Sequence, residues 1–198
     1  MANRNGEIMA DHRIYIAGPD LFLMDWPQRA ARVQALCANY GLTAILPVPA
    51  TTLTGPGVTE PSDAAVAAAV FQSCLDAVRK ADGVIANLAP FRGDEPDSGT
   101  VTECALAYAW GKPVIGYANS PVMPVSQGAD GRMLTEDGGW VEQFGLTHNL
   151  MLHGVCQEIV TGLEDAVAIM ATVLQKSMRK IPKKRDIGFS WNEIIQRE

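Results

Sequence analysis

The sequence predicts an α/β protein on a parallel sheet covered by helices on both faces. Short β-rich runs alternate with longer stretches of helical spacing, which is the pattern such a sheet produces. With 47% hydrophobic and 19% charged residues, a chain of 198 can bury a substantial core without disulfide staples. No internal repeat or low-complexity tract interrupts the alternation.

Residues 13–17 (Arg-Ile-Tyr-Ile-Ala) form the expected first strand, closed by the turn Gly18-Pro19-Asp20. Residues 26–40 are rich in Ala, Arg and Gln with apolar positions at helical spacing, and Gly41 stops that helix. Residues 42–48 read as the second strand. The loop over 49–62 holds three Pro and two Gly, and loops of that length in compact domains are usually functional. Asp63 is the expected cap of a helix over 64–80. Residues 83–88 read as the third strand, 89–99 as a loop, 100–110 as a helix and 113–117 as the fourth strand. Residues 119–147 are poorly periodic, 155–160 read as a fifth strand, and 163–176 as the last core helix. The resulting organisation is a flexible segment over 1–12, a folded domain over 13–176, and a basic linker with an amphipathic tail over 177–198.

Sixteen Lys and Arg against 22 Asp and Glu give a net charge of −6, which repels polyphosphate and argues against nucleic acid or an anionic membrane as partner. A small or neutral ligand is the expectation. Cys37, Cys74, Cys104 and Cys156 are scattered among apolar residues without metal-ligand spacing, and read as reduced core thiols. The first dozen residues lack the apolar stretch of an export signal, and no segment approaches the roughly 18 apolar residues of a membrane span. A cytoplasmic location is therefore expected.

In an open parallel sheet, ligands bind beyond the carboxyl ends of the strands. Three loops there are unusual: residues 17–22, the Pro-rich loop, and residues 90–103. The third places Asp94, Glu95, Asp97 and Glu103 around a Gly-containing turn that leads into a helix. Two carboxyl groups near one ligand suit glycosyl chemistry, one attacking or stabilising an oxocarbenium-like carbon while the other manages the leaving group's proton. A helix starting near Gly99 or Thr100 puts Glu103 in its first turn, where the helix dipole favours the ionised form. A structural reading stands beside this one. Thr100-Val-Thr-Glu103 matches a capping box, Asp97 suits a turn, and Asp94 with Glu95 suits a solvated loop.

Three segments together resemble the nucleoside 2-deoxyribosyltransferase family: Tyr15-Ile-Ala-Gly-Pro-Asp-Leu-Phe22, Ala81-Asp-Gly-Val-Ile-Ala-Asn-Leu-Ala-Pro-Phe-Arg-Gly-Asp-Glu-Pro-Asp-Ser-Gly-Thr100 running on to Glu103, and Phe144-Gly-Leu-Thr-His-Asn-Leu-Met-Leu152. The likeness covers roughly residues 13–175, and the middle motif is specific. It implies a flavodoxin-like, doubly wound, mainly parallel five-stranded sheet. It also implies exchange of the base of a 2′-deoxynucleoside for a free nucleobase, through a covalent deoxyribosyl-glutamate and without cofactor or metal.

By the same resemblance Glu103 matches the nucleophile and Asp97 an acid that contacts the base and assists its protonation. Tyr15 matches the tyrosine that orients the nucleophile, and Asp76 the second base-site aspartate. Gly18 and Phe22 fall in the substrate-binding first motif. Asn149 and Met151 match a segment that completes a neighbouring subunit's site, which implies a homo-oligomer, dimer or hexamer. Each position has a plainer role as well: Asp76 pairing with Lys80 one turn on, Tyr15 or Phe22 as core aromatics, Asn149 as a cap. His148 and His153 are assigned no role.

Two other readings remain open from sequence. A 2′-deoxynucleoside 5′-monophosphate N-glycosidase would use the same glutamate and pass the sugar to water, but Asp20 after the first strand opposes a 5′-phosphate. A non-catalytic nucleotide-binding regulator would share the fold pattern without needing the Glu103 and Asp97 pair. A dinucleotide-dependent oxidoreductase is disfavoured, since no GxGxxG follows the first strand.

Overall fold

The computed structural model describes residues 12–48, 62–119, 126–135, 138–142 and 144–178. The expected N-terminal segment up to residue 11, the Pro-rich loop over 49–61 and the basic tail beyond 178 lie outside the described residues. Along the chain come β1 (His12–Ala17), α1 (Trp26–Asn39), β2 (Leu42–Ile45), α2 (Asp63–Lys80), β3 (Gly83–Asn87), α3 (Ser98–Ala109) and β4 (Val114–Tyr117). They are followed by β5 (Ser126–Gln127), β6 (Met133–Leu134), α4 (Leu150–Val155), β7 (Glu158–Val160) and α5 (Leu163–Met178).

Five strands form one sheet in the order β2-β1-β3-β4-β7, with every neighbour parallel. Alternation along each strand sends side chains to two separate cores. Ile14 and Ile16 of β1, Ile85 of β3 and Ile115 of β4 pack on Val33 and Cys37 of α1 and on Val167 and Met170 of α5. Tyr15, Ala17, Val84 and Val114 face Val78 of α2, Cys104 and Ala107 of α3, and Leu152 of α4. Helices thus cover both faces, as the alternating pattern predicts. The short β5 and β6 pair antiparallel in a separate hairpin.

Several boundaries differ from the sequence reading. The cap of α2 is Ser62, whose hydroxyl accepts from Ala65 N–H at 3.3 Å, while Asp63 is the first helical residue. A serine in extended backbone just before the helix can aim its oxygen at an unpaired amide, which a residue already in the helix cannot. β2 stops at Ile45 rather than at residue 48. The expected strand over 155–160 is divided: Asn149 caps the one-and-a-half turns of α4, and only Glu158–Val160 pair with β4. The turn after β1 tightens into a 3-10 helix over Pro19–Phe22.

Winding reverses between β1 and β3, which opens a crevice beyond their carboxyl ends, the place where sheets of this order bind ligands. Gly18 lets the two strand exits pass each other, because a Cβ there would lie 2.8 Å from Asn87 Cβ.

Candidate active site

Tyr15 leaves the middle of β1 on the side of α2 and α3, and only 1% of it is exposed. Its hydroxyl donates to Glu103 Oε1 at 2.7 Å. Burial raises the Glu103 pKa above the ordinary glutamate value; hydrogen bonds from Tyr15 and Cys74 pull it back, and the nearby Asp97 charge adds to the rise. The Tyr15 phenol is pushed far upward, first by its own burial and then by the Glu103 charge, so it stays a protonated donor. The pair is a half-buried carboxylate held in one orientation by a neutral phenol.

The capping of α3 overturns two expectations at once. Asp97 is the cap, its Oδ2 accepting from Thr100 N–H at 2.9 Å and from the Thr100 hydroxyl at 3.1 Å. Helix therefore begins at Ser98, and Glu103 lies in the second turn rather than the first. A capping box cannot form, since Thr100 is the residue capped and Glu103 reaches across to Tyr15 instead of back to the backbone. The charge state of Glu103 is thus governed by burial and its three neighbours, not by the helix N-terminus.

At the crevice mouth, Asp20 is gripped from two sides. Asn87 Nδ2 at the end of β3 donates to its Oδ2 at 2.7 Å, and Arg29 of α1 stands 3.4 Å from its Oδ1. Beside it the loops after β1 and β3 meet through Phe22 and Phe91, whose rings stack at 5.6 Å with 17° between planes. The Arg92 guanidinium lies over both rings. Arg92 is also the one non-glycine residue at positive φ (56°) among those described, a conformation that costs on the order of 1–3 kcal/mol. Residues 91–98, Asp97 included, line an open recess of about 410 Å³.

Tyr15, Glu103 and Asp97 are therefore brought together, with Gly18 and Phe22 at the adjoining strand exit. Asp76 is engaged along its own helix: its Oδ1 accepts from Gln72 Nε2 at 2.9 Å and lies 3.7 Å from Arg79, not paired with Lys80, and its side chain is 43% exposed. The residue of α2 that reaches Tyr15 and Glu103 is Cys74, which the sequence reading placed among reduced core thiols. The signal was helix phase. Val78 marks the inward face of α2, Cys74 sits four residues before it on that face, and Asp76 lies about 200° around from Cys74. Burial and the Glu103 charge raise the Cys74 pKa, so the thiol is protonated at neutral pH.

Asn149 caps α4, accepting from Met151 N–H at 2.9 Å, and its Nδ2 donates to Glu142 at 3.0 Å. Met151 is 69% exposed on the same turn. His148 and His153 share the Thr147 hydroxyl, and burial lowers the pKa of both, keeping them neutral at pH 7. Among the described residues no group of three or more His, Cys, Asp or Glu is arranged to hold a metal ion.

The fold and site define an α/β protein with a carboxylate and phenol pair, backed by a second carboxylate, at the winding reversal of a five-stranded parallel sheet. The chain belongs to the nucleoside 2-deoxyribosyltransferase family, whose profile matches residues 14–151. Its structure is similar to that of the 2-desoxiribosyltransferase from Leishmania mexicana, with 30% identity, a TM-score of 0.60, and coverage of 81% of this chain and 97% of that one. A conserved protein from Enterococcus faecalis V583 shares the fold at 21% identity and a TM-score of 0.52, covering 83% of this chain and 99% of its own. So does a 2-deoxyribosyltransferase from Bacillus psychrosaccharolyticus at 20% identity and 0.50, covering 78% and 90%. Comparison with curated protein sequences gives no match. No helix among the described residues is long and apolar enough to cross a membrane.

Proposed function

We propose that the protein exchanges the base of a 2′-deoxynucleoside by double displacement. A Glu103 oxygen attacks the anomeric carbon, forming an ester bond as the bond from that carbon to the base nitrogen breaks. The electron pair leaves with the base, and Asp97 supplies a proton to it, directly or through water. A second base then attacks the same carbon, displaces Glu103 and returns a proton to Asp97, so configuration at the sugar is retained. Oδ2 of Asp97 is already bonded to Thr100, which leaves Oδ1 for that proton. The absence of a 2′-hydroxyl eases oxocarbenium formation, so a carboxylate and a proton donor suffice.

The observation that carries this reading is the 2.7 Å bond from Tyr15 to Glu103, which orients the nucleophile without ionising the phenol. Within the same reading Gly18 and Phe22 line the substrate crevice and Asp76 contributes a second base contact, for which it must release Gln72 and Arg79. Asn149 and Met151 serve a neighbouring copy in a homo-oligomer, and exposure of Met151 supports that assignment. Asp20, fixed at the exit of β1 by Asn87, favours an uncharged 5′-hydroxyl over a 5′-phosphate and so weighs against a monophosphate hydrolase.

Incubating the protein with a 2′-deoxynucleoside and a different free base, followed by chromatography, tests the assignment. A new deoxynucleoside is the expected product. Release of free deoxyribose alone would replace transfer with hydrolysis.

A further inference from the structure

We propose that Arg92 is a specificity-determining residue of the base subsite, selecting purines that carry an oxygen at C6 over adenine. The proposal rests on the base-exchange reading above and extends it to the choice of base. Phe22 and Phe91 arrive from the loops after β1 and β3, the two strands flanking the winding reversal, and their stacked rings form one aromatic surface there. The Arg92 guanidinium carbon lies 4.7 Å from the Phe91 centroid and 5.3 Å from that of Phe22. A planar delocalised cation on an aromatic face is held at a defined tilt, and nucleobases stack on the same kind of surface. Arg92 also lines the open recess that reaches Asp97, the proposed proton donor to the base.

Two further observations set Arg92 apart from an ordinary loop residue. Its backbone holds the left-handed conformation although Gly93, which adopts positive φ freely, follows immediately. The turn is closed independently of the Arg92 side chain, by the bridge of Pro90 to Pro96 and by Phe91 N–H donating to the Glu95 carbonyl at 3.0 Å. In addition, no ion pair joins Arg92 to a carboxylate among the described residues, although Asp94 and Glu95 are close in sequence. Among the described residues its guanidinium therefore faces aromatic rings rather than a carboxylate.

A guanidinium offers only N–H donors in a rigid fork. Guanine and hypoxanthine present two acceptors side by side, O6 and N7, which match that fork. Adenine places an amino donor at C6 beside N7, so the same fork meets a donor and loses one bond.

The test compares wild type with Arg92→Ala and Arg92→Lys in two measurements: exchange kinetics with 2′-deoxyinosine and 2′-deoxyadenosine as donors, and equilibrium binding of free hypoxanthine and adenine. Wild type is expected to favour the 6-oxo base. Arg92→Ala should lower kcat/KM and affinity for it by about tenfold or more, with less than about a threefold change for adenine. Lys, a point charge, should not restore the preference. Equal changes for both bases, no change for either, or a wild-type preference for adenine would overturn the proposal. If wild type exchanges no base at all, the exchange reading fails by itself, and the ratio of hypoxanthine to adenine binding still decides the role of Arg92.

Discussion

The Tyr15 hydroxyl and Glu103 Oε1, separated by 88 positions in the chain, stand 2.7 Å apart because β1 passes directly beneath the second turn of α3. Tyr15→Phe removes a hydrogen bond that stabilises the ionised carboxylate, so the Glu103 pKa should rise further. On the proposed mechanism the nucleophile must be ionised, and the acidic limb of the pH–rate profile should move to higher pH with a lower plateau. A profile that only scales down, with its limb in place, would mean that the phenol acts on something other than Glu103. Losing the bond also takes one of two hydrogen-bond donors from a half-buried carboxylate, for a stability loss of about 1 kcal/mol by chemical denaturation.

Glu103→Gln should abolish exchange while the fold persists. Because burial raises the folded-state pKa of Glu103 above its ordinary 4.5, this carboxylate contributes most stability below that value and progressively less as pH rises through the folded value. The Gln variant lacks that component. Its melting temperature near neutral pH should equal or exceed that of wild type, and melts across an acid-to-neutral series should show the difference growing with pH.

Asp97 caps α3 and, on the proposed mechanism, also protonates the departing base. Asp97→Asn keeps a capping oxygen on Thr100 and should preserve stability while slowing departure of the base by tenfold or more. Asp97→Ala loses the cap too, and thermal melts should show a further loss of about 1 kcal/mol. Single-turnover release of the first base from each variant measures the chemical step apart from the fold.

Helix phase separates Cys74 from Asp76. The Cys74 thiol lowers the Glu103 pKa, so Cys74→Ala should shift the acidic limb upward, in the same direction as Tyr15→Phe. Asp76→Asn should leave the limb where it is and act, if at all, on KM for the base. A limb shift in the Asp76 variant would show that its carboxylate turns inward during turnover.

Much of this arrangement was legible in the chain. Alternation of strand and helix was enough for the parallel sheet, since the central strands β1, β3 and β4 carry apolar runs buried on both sides and the long helices cover them. Glu103 and Asp97 stood out as carboxylates of one loop and Tyr15 through motif likeness, and the structure brings the three side chains near one another. What stayed hidden depended on competition between neighbouring groups. Thr100 and Asp97 can both cap a helix, and only the backbone decides which does; that choice moved Glu103 by most of a turn. Cys74 was overlooked because an acidic residue two positions on drew the assignment, whereas burial of Val78 fixes which face of α2 points inward. Arg92 carried no local signal, as its contacts with Phe22 join loops about 70 residues apart.

Glu103 and Tyr15 ride on a core helix and a central strand, whereas Phe22, Phe91 and Arg92 hang from connecting loops. Substitutions in those loops touch few of the buried contacts that stabilise the sheet. On the proposed function, a randomised library confined to them could therefore drift in which nucleoside analogue it makes, while the Tyr15 and Glu103 pair is inherited unchanged.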